Sequence, residues 1–194
     1  MSQPICLISG AGDGTGAAIA RRFASANYRV ALLARGEERL KRLEKDIPSS
    51  KAYVCDISDL DQLRKTIGQV RDQMGAIDVA VNNAAQGAFN TILEADPVRF
   101  EELFRINATA LMVLTQCVAP DMLAKGHGAI MVTGNTSAWR GKPRFCMFAP
   151  TKAAQRILAE SMARSLWPRG VHVAYVTIDA VIDLAWTRQM HADK

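Results

Sequence analysis

The residues with the clearest chemical potential lie near the amino terminus, where an apolar run ends in a cluster of glycines. Residues 9–16 read Ser-Gly-Ala-Gly-Asp-Gly-Thr-Gly, and a helical pattern follows at once. Glycines let a backbone turn sharply and approach an anion without a Cβ clash. A helix that begins near Gly14 would point free N–H groups and the positive end of its dipole at that anion. The spacing therefore predicts a phosphate-binding turn between a buried strand and a helix.

Six apolar runs along the chain are each typical of a buried strand, and polar residues follow the end of each run. The runs cover residues 5–8, 28–34, 51–56, 77–81, 129–133 and 171–178. The polar groups that follow them are residues 9–16, Arg35, Asp56, residues 82–85, residues 133–137 and residues 179–183. Side chains that follow parallel strands meet at one edge of a sheet, where ligands bind. This convergence predicts a single ligand site.

Helical patterns separate these strands. The third helix has Asp59 as a possible N-cap and Gly75 just after its end. A long helical region is predicted over residues 97–125, kinked or divided at Pro120 because proline lacks an N–H. A further helix is predicted over residues 150–167.

The alternation of strands and helices predicts the fold class. Strands that are apolar on both faces are typical of a parallel sheet covered by helices on each side. Right-handed crossovers then give a doubly wound sheet. We therefore expect an α/β protein with a single Rossmann-type domain over residues 1–194, in which six strands are visible.

The composition narrows the class of protein. The chain has 194 residues, of which 49% are hydrophobic and 22% charged, which fits one domain with a sizeable core. It has no run of about 18 apolar residues, so we expect no membrane span. Its first residues lack the charged segment of a secretory signal, which favours a cytoplasmic protein. The four cysteines are far apart and have no metal-binding or redox spacing, so free thiols and no metal site are expected.

The net charge of +5 does not predict a nucleic-acid partner. Lysine and arginine alternate with glutamate through residues 37–45, as on a solvated helix face. Nucleic-acid binding needs a concentrated basic face, often with aromatic residues between the charges. Basic residues nevertheless outnumber acidic ones around the second predicted strand, and the resulting positive field would suit a small ligand that carries phosphate.

The motifs described above resemble those of the short-chain dehydrogenase/reductase family, and the likeness covers almost the whole chain. The family's Thr-Gly-x-x-x-Gly-x-Gly turn matches residues 9–16, and its Asn-Asn-Ala-Gly stretch matches residues 82–85, where Ala85 replaces the glycine. Its adenine-binding acid matches Asp56. The resemblance implies a dinucleotide site made of the following residues: Gly10, Gly12, Asp13, Gly14, Thr15, Gly16, Arg35, Asp56, Ile57, Asn82, Ala84, Lys152 and Val181.

The end of the second strand bears on the choice of cofactor. A dinucleotide without a 2′-phosphate needs a carboxylate there to accept from the ribose hydroxyls, whereas a 2′-phosphate needs arginine. This chain has Arg35 and no acid before Glu37. We therefore predict that NADP(H) is favoured over NAD(H). The alternative is that Arg35 is only a solvated residue at the start of a helix.

The catalytic residues implied by the resemblance are Asn107, Asn135, Phe148 and Lys152. Asn107 and Lys152 match the family pattern. Phe148 stands where the family has its proton-donating tyrosine, and phenylalanine has no proton to give. Asn135 stands at the serine position, where its amide could donate to an oxyanion.

Other groups could supply the missing proton. The hydroxyls of Thr136, Ser137 and Thr151 are near in sequence, and Lys152 or a water that it holds is a further candidate. Asp179 and Asp183 could act as an acid–base pair if burial raised the pKa of one carboxyl. The alternatives are that the loop hydroxyls form caps and that the two acids lie on a surface loop.

Two functions follow from this reading of the motifs. The first is an NADP(H)-dependent oxidoreductase that acts on a small carbonyl or alcohol substrate with a non-standard proton donor. The second is a catalytically inactive dinucleotide-binding homologue, a sensor or a non-catalytic subunit. The resemblance also implies a homodimer or homotetramer. Family members continue through a substrate-covering helix and a seventh strand, so either this chain is shortened or those parts are missing from the sequence.

Overall fold

A computed structural model describes residues 3–190, and its centre is a six-stranded sheet in which every pair of neighbouring strands is parallel. The strands are β1 (Ile5–Ser9), β2 (Arg29–Ala34), β3 (Ser50–Val54), β4 (Val79–Asn82), β5 (Gly128–Asn135) and β6 (Val171–Ile178). Their order is β3-β2-β1-β4-β5-β6, so the direction of winding reverses between β1 and β4. The predicted doubly wound parallel sheet is confirmed, with strand ends that differ from the predictions by a residue or two.

Helices cover both faces of the sheet. Two of them, α1 (Thr15–Ser25) and α2 (Glu37–Asp46), pack on one face. The other face is covered by α3 (Leu60–Met74), α5 (Ala110–Lys125) and α6 (Phe148–Leu166), and α4 (Pro97–Phe104) leads into α5. A six-residue helix that the sequence analysis does not predict, α7 (Ala185–Met190), follows β6.

The strands alternate their side chains between two hydrophobic cores. In β1, Ile5 and Leu7 pack toward α3 and α5, whereas Cys6 and Ile8 pack toward α1 and α2. Successive side chains of a strand point to opposite faces, so a strand covered on both sides must be apolar throughout. This explains why the apolar runs of the sequence are continuous rather than alternating.

Local capping chemistry sets the ends of α3. The Asp59 carboxylate accepts from the backbone N–H groups of Asp61, at 3.1 Å, and Gln62, at 2.9 Å. Gly75 ends the helix with a φ of 113°, a conformation that other residues rarely adopt. Both capping predictions are confirmed.

Of the two predicted effects of Pro120, a kink or a division of the long helix, the division is wrong. Pro120 lies inside α5, which continues to Lys125. The regular helix is interrupted earlier, by a π-helical segment at Arg105–Thr109 in which the Ala110 N–H bonds to the Arg105 carbonyl five residues back. Proline removes one backbone hydrogen bond, and the burial of α5 in the core stabilises the helix in spite of that loss.

The same helical run, Pro97–Lys125, is long and apolar enough to cross a membrane by length and composition. Its most apolar stretch is 56% buried within the fold. Many apolar side chains of this run lie in the core, among them Leu103, Leu111, Leu114, Val118 and Met122. These side chains therefore pack on the sheet. A core helix of a globular domain can meet the same length and composition criteria as a membrane span.

Candidate active site

The glycine turn between β1 and α1 is closed so tightly that only glycine fits at two of its positions. Gly10 has a φ of +80°, and a Cβ built there would lie 2.6 Å from the Ala84 backbone nitrogen. A Cβ at Gly16 would lie 2.2 Å from the Gly10 carbonyl oxygen. The turn therefore brings the start of α1 against β1, and the first N–H groups of a helix have no acceptor within the helix. This is the geometry of an anion cradle.

Hydrogen bonds from neighbouring strands fix the turn. The N–H groups of Gly10 and Ala11 donate to the Leu33 carbonyl at 2.8 and 3.0 Å. The Asn83 amide donates to the Gly10 carbonyl at 2.9 Å. Asn82 is 1% exposed and accepts from the Ser9 hydroxyl at 3.2 Å, so it lies beneath the turn rather than in the cleft wall. The structure thus places Asn82 where it supports the turn.

A cavity of about 280 Å³ lies beside the ends of β2 and β3 and brings together Arg35, Asp56, Ile57 and Ala84, as predicted. Burial raises the pKa of the Asp56 carboxyl, but hydrogen bonds from the Ser58 N–H and hydroxyl and the charge of Arg35 lower it more, so the pKa lies below its ordinary value. Asp56 is therefore a carboxylate at neutral pH. The wall of this cavity therefore carries the Asp56 carboxylate together with arginine side chains.

Arg39 is a site residue that the sequence analysis does not single out. It projects from α2, lines the small cavity and also lines the large cavity described next. Its Nε lies 3.1 Å from an Asp13 carboxylate oxygen, and both side chains are more than half exposed. Two guanidinium groups, those of Arg35 and Arg39, therefore stand near the end of β2.

A second cavity, of about 1100 Å³, extends from the glycine turn to the ends of β5 and β6. Its wall includes the predicted cofactor residues Gly10, Gly12, Asp13, Gly14, Thr15 and Gly16, together with Asn135, Phe148 and Lys152. Gly10, Gly12 and Arg39 belong to both cavities, so the two form one continuous cleft. Val181 is 64% exposed and is not part of this wall, where its neighbours Ala180 and Ile182 stand instead.

Phe148 is the first residue of α6 and is 9% exposed. Its ring packs in an aromatic cluster with Phe89, at 5.9 Å between centroids, and Phe145, at 6.3 Å. Phe89 and Phe148 both line the large cavity. The position that resembles the proton donor of the family is thus an apolar, aromatic part of the wall.

Lys152 is the buried cation of the large cavity and is 2% exposed. Its ammonium donates to the Thr133 carbonyl at 3.1 Å and to the side-chain oxygen of Gln155. Burial lowers the pKa of Lys152 from 10.5 to about 8. The amine can therefore hold a proton at neutral pH and release it at a modest cost.

Asn107 lies in the π-helical segment and ties three parts of the site together. Its side-chain amide exchanges two hydrogen bonds with the Gln86 backbone, each of 2.9 Å. It also donates to the Thr151 hydroxyl, which in turn donates to the Phe148 carbonyl at 2.7 Å. The Thr151 hydroxyl is therefore engaged inside the fold, and Thr151 does not line the large cavity.

Asn135, at the end of β5, lines the large cavity as predicted. Its side-chain oxygen is buried and has no hydrogen-bond partner in the part of the chain that the structure describes. The buried hydroxyl of Tyr175 likewise has no partner among residues 3–190, and its ring packs over Gly134. Of these two atoms, only the Asn135 oxygen belongs to a residue that lines the cavity.

The loop acids after β6 lie on the surface. Asp179 is 70% exposed at its side chain and accepts from the Thr136 hydroxyl at 2.8 Å. Asp183 pairs with Arg188, whose hydrogen bonds and charge hold the pKa of that carboxyl below its ordinary value. Neither carboxyl is buried, so the carboxylate-pair hypothesis is wrong and the surface-loop alternative is favoured.

The fold and the cleft together define a Rossmann-type domain with a glycine turn at its topological switch point. Residues 4–188 match the family model described as short chain dehydrogenase. The chain belongs to this family, the short-chain dehydrogenases/reductases.

Three relatives illustrate the likeness. A pig (Sus scrofa) protein named Dehydrogenase/reductase SDR family member 4 is 25% identical over 178 residues, which cover 89% of this chain and 64% of that protein. A metagenomic short-chain oxidoreductase in complex with NADP has a TM-score of 0.88 and 29% identity, covering 93% of this chain and 84% of its own. NAD⁺-bound xylitol dehydrogenase has a TM-score of 0.89 and 28% identity, covering 97% and 75%. This chain thus spans less than two thirds of the pig protein.

Proposed function

We propose that the protein is an NADP(H)-dependent oxidoreductase that interconverts a small carbonyl compound and its alcohol. The observation that carries the proposal is the continuous cleft, which joins Arg35 and Asp56 to Lys152 through the glycine turn. One end of the cleft has groups that would bind an adenosine phosphate. The middle of the cleft has a cradle for a pyrophosphate, and the other end has a titratable amine. Solved relatives that hold NADP or NAD⁺ support a nicotinamide dinucleotide as the cofactor.

The residues of the cleft fit such a group. The cradle at Gly10 and Gly16 has no room for a Cβ, so the chain packs closely there. The first N–H groups of α1 have no acceptor within the helix and would face the pyrophosphate. Asp56 and Ile57 would hold the adenine. Arg35 and Arg39 would bind the 2′-phosphate of NADP(H), because guanidinium groups recognise phosphate with paired hydrogen bonds.

The proton chemistry falls to the groups around Phe148. When bound, the nicotinamide cofactor supplies or accepts the hydride at the substrate carbon. The Lys152 ammonium, whose pKa is about 8, would give its proton to the carbonyl oxygen on reduction, directly or through a water, and recover it on oxidation. The Asn135 amide would donate to the same oxygen. Phe148 and Phe89 would exclude water from the reacting carbonyl.

Cofactor choice is tested by titration of the purified protein with NADPH and NADH. We expect Arg35→Ala and Arg39→Ala each to weaken NADPH binding by about tenfold, since a charged hydrogen bond to phosphate is lost, and to leave NADH binding within about twofold. Arg22→Ala, on the exposed end of α1, is the matched control. Equal effects on both cofactors would contradict the assignment of the 2′-phosphate.

Turnover is tested by NADPH oxidation with a panel of small carbonyl compounds. We expect activity in the native protein and its loss in Lys152→Met. The double variant Phe148→Tyr with Asn135→Ser restores the family's residues. Binding without turnover in the native protein, and turnover in the double variant alone, would instead favour the catalytically inactive homologue.

Assembly and location remain part of the proposal. The family resemblance favours a homodimer or homotetramer in the cytoplasm, without a nucleic-acid or membrane partner. Met112, on the outer side of α5, is 42% exposed and would be covered in such an assembly. Light scattering coupled to gel filtration measures the assembly, and a monomer at all concentrations would contradict it.

A further inference from the structure

Gln155 is a buried polar residue of α6 that the motifs of the sequence do not explain. It is fully buried, with 0% exposure. Its side-chain nitrogen donates to the Asn107 backbone carbonyl at 2.7 Å, and its side-chain oxygen accepts from the Lys152 ammonium. The glutamine thus links the π-helical segment to the one buried amine of the large cavity.

The Asn107 carbonyl decides the orientation of this amide. A carbonyl oxygen can only accept, so the Gln155 nitrogen must face Asn107 and the Gln155 oxygen must face Lys152. A second acceptor for Lys152 is the Thr133 carbonyl at 3.1 Å. Two of the bond directions of the Lys152 nitrogen are therefore fixed by carbonyl oxygens on α6 and β5.

Both protonation states of the amine suit this pair of acceptors. A neutral amine has two N–H bonds, and an ammonium has three. The neutral form can use both of its N–H bonds on Thr133 and Gln155, and the ammonium has one N–H more. Since Lys152 lines the large cavity, the remaining direction is where a proton can be exchanged with a bound group.

We propose that Gln155 is a positioning residue: it holds the Lys152 amine against the Thr133 carbonyl so that one bond direction of the nitrogen is presented to the large cavity. The functional consequence rests on the proposed oxidoreductase activity, whereas the contact itself does not. In this arrangement Gln155 holds the amine through a direct side-chain hydrogen bond, which fixes the position of the nitrogen more reproducibly than a mobile water molecule would.

The charged groups around the site are engaged elsewhere in the described structure. On the cavity wall, Asp13 pairs with Arg39, and Asp183 pairs with Arg188. On α6 itself, Arg156 stacks on the Trp139 ring at 4.0 Å and reaches Glu160 at 3.5 Å. The amine thus forms direct hydrogen bonds with two neutral oxygens, those of Thr133 and Gln155. A substitution at Gln155 therefore acts on Lys152 directly.

The test uses the pH dependence of unfolding, which needs no activity. Stability is measured by urea denaturation between pH 6.5 and 11 for the native protein, Gln155→Met and Gln155→Glu, each with and without Lys152→Met. Gln155→Met removes an acceptor and should move the Lys152 transition about one pH unit lower. Gln155→Glu adds a negative charge and should move it about one pH unit higher.

Both shifts should vanish when Lys152→Met is present, because no amine then remains to titrate. Gln69→Met, at an exposed position of α3, controls for loss of a glutamine elsewhere. The inference is overturned if the two Gln155 variants change the pH dependence of unfolding by the same amount with and without Lys152→Met. It is also overturned if neither variant changes that pH dependence. The glutamate variant keeps the length of the side chain and the acceptor that faces Lys152, although it loses the donor to the Asn107 carbonyl. It therefore provides a second, independent test if the methionine variant does not fold.

Turnover and cofactor titration separate this inference from the proposed function. We expect NADPH affinity to stay within about twofold in both Gln155 variants, while the pH profile of kcat moves in the same direction as the stability transition. Absence of turnover with shifted stability transitions would refute the proposed function and leave the positioning role intact. Normal turnover with an unmoved pH profile would refute the positioning role alone.

Discussion

Replacement of Lys152 by methionine should remove a pH-dependent part of the stability. Lys152 is 2% exposed, and burial lowers its pKa from 10.5 to about 8. Below pH 8 the folded and unfolded chains both hold the proton. Between pH 8 and 10.5 the unfolded chain holds a proton that the folded chain has released, so the free energy of unfolding rises with pH across this window and levels off above it.

The size of the effect follows from the two pKa values. A difference of about 2.5 pKa units at about 1.4 kcal/mol each gives about 3 kcal/mol between pH 7 and pH 11. Urea denaturation followed by tryptophan fluorescence at several pH values measures it. The curves of native protein and Lys152→Met should diverge by that amount, whereas Lys65→Met, at an exposed position of α3, should run parallel to the native curve. Parallel curves for all three proteins would refute the reasoning.

Three further predictions concern the turn, the π-helical segment and a cap. Gly16→Ala should abolish nucleotide binding in a thermal-shift titration, because its Cβ would lie 2.2 Å from the Gly10 carbonyl oxygen. Asn107→Leu should lower the free energy of unfolding by about 1–3 kcal/mol in urea denaturation, since it leaves partly buried backbone groups of Gln86 without their partner. Asp59→Ala should cost about 1 kcal/mol in the same assay through loss of the α3 cap, with unchanged nucleotide binding. Each prediction fails if its variant matches the native protein.

The fold and the turn could be predicted because their signals are local. The glycines among residues 9–16 indicate the tight turn, and continuous apolar runs indicate strands that are buried on both faces. Each of the two α3 caps, at Asp59 and at Gly75, depends on the type of a single residue, which can be read from the sequence.

Residues whose roles depend on the packing of distant elements could not be predicted in this way. Arg39 reaches the glycine turn because of how α2 is rotated on the sheet, which no local pattern encodes. Gln155 is three residues after Lys152 and so shares its helix face, a spacing that was available in the sequence. Its second partner, the Asn107 carbonyl, lies on another helix and could be identified only from the fold.

The interruption of the helix at Arg105–Thr109 has a consequence for how the chain can change in length. A π-helical segment holds more residues per turn than a regular helix, so the loss of one residue here would rewind it and rotate α4 relative to α5. A regular helix would result, yet the Asn107 carbonyl would no longer face Gln155. The number of residues between Phe104 and Ala110 is therefore constrained more strongly than the identity of most of them. A deletion at this point would break the hydrogen bond between Gln155 and the Asn107 carbonyl, although the chain would stay helical.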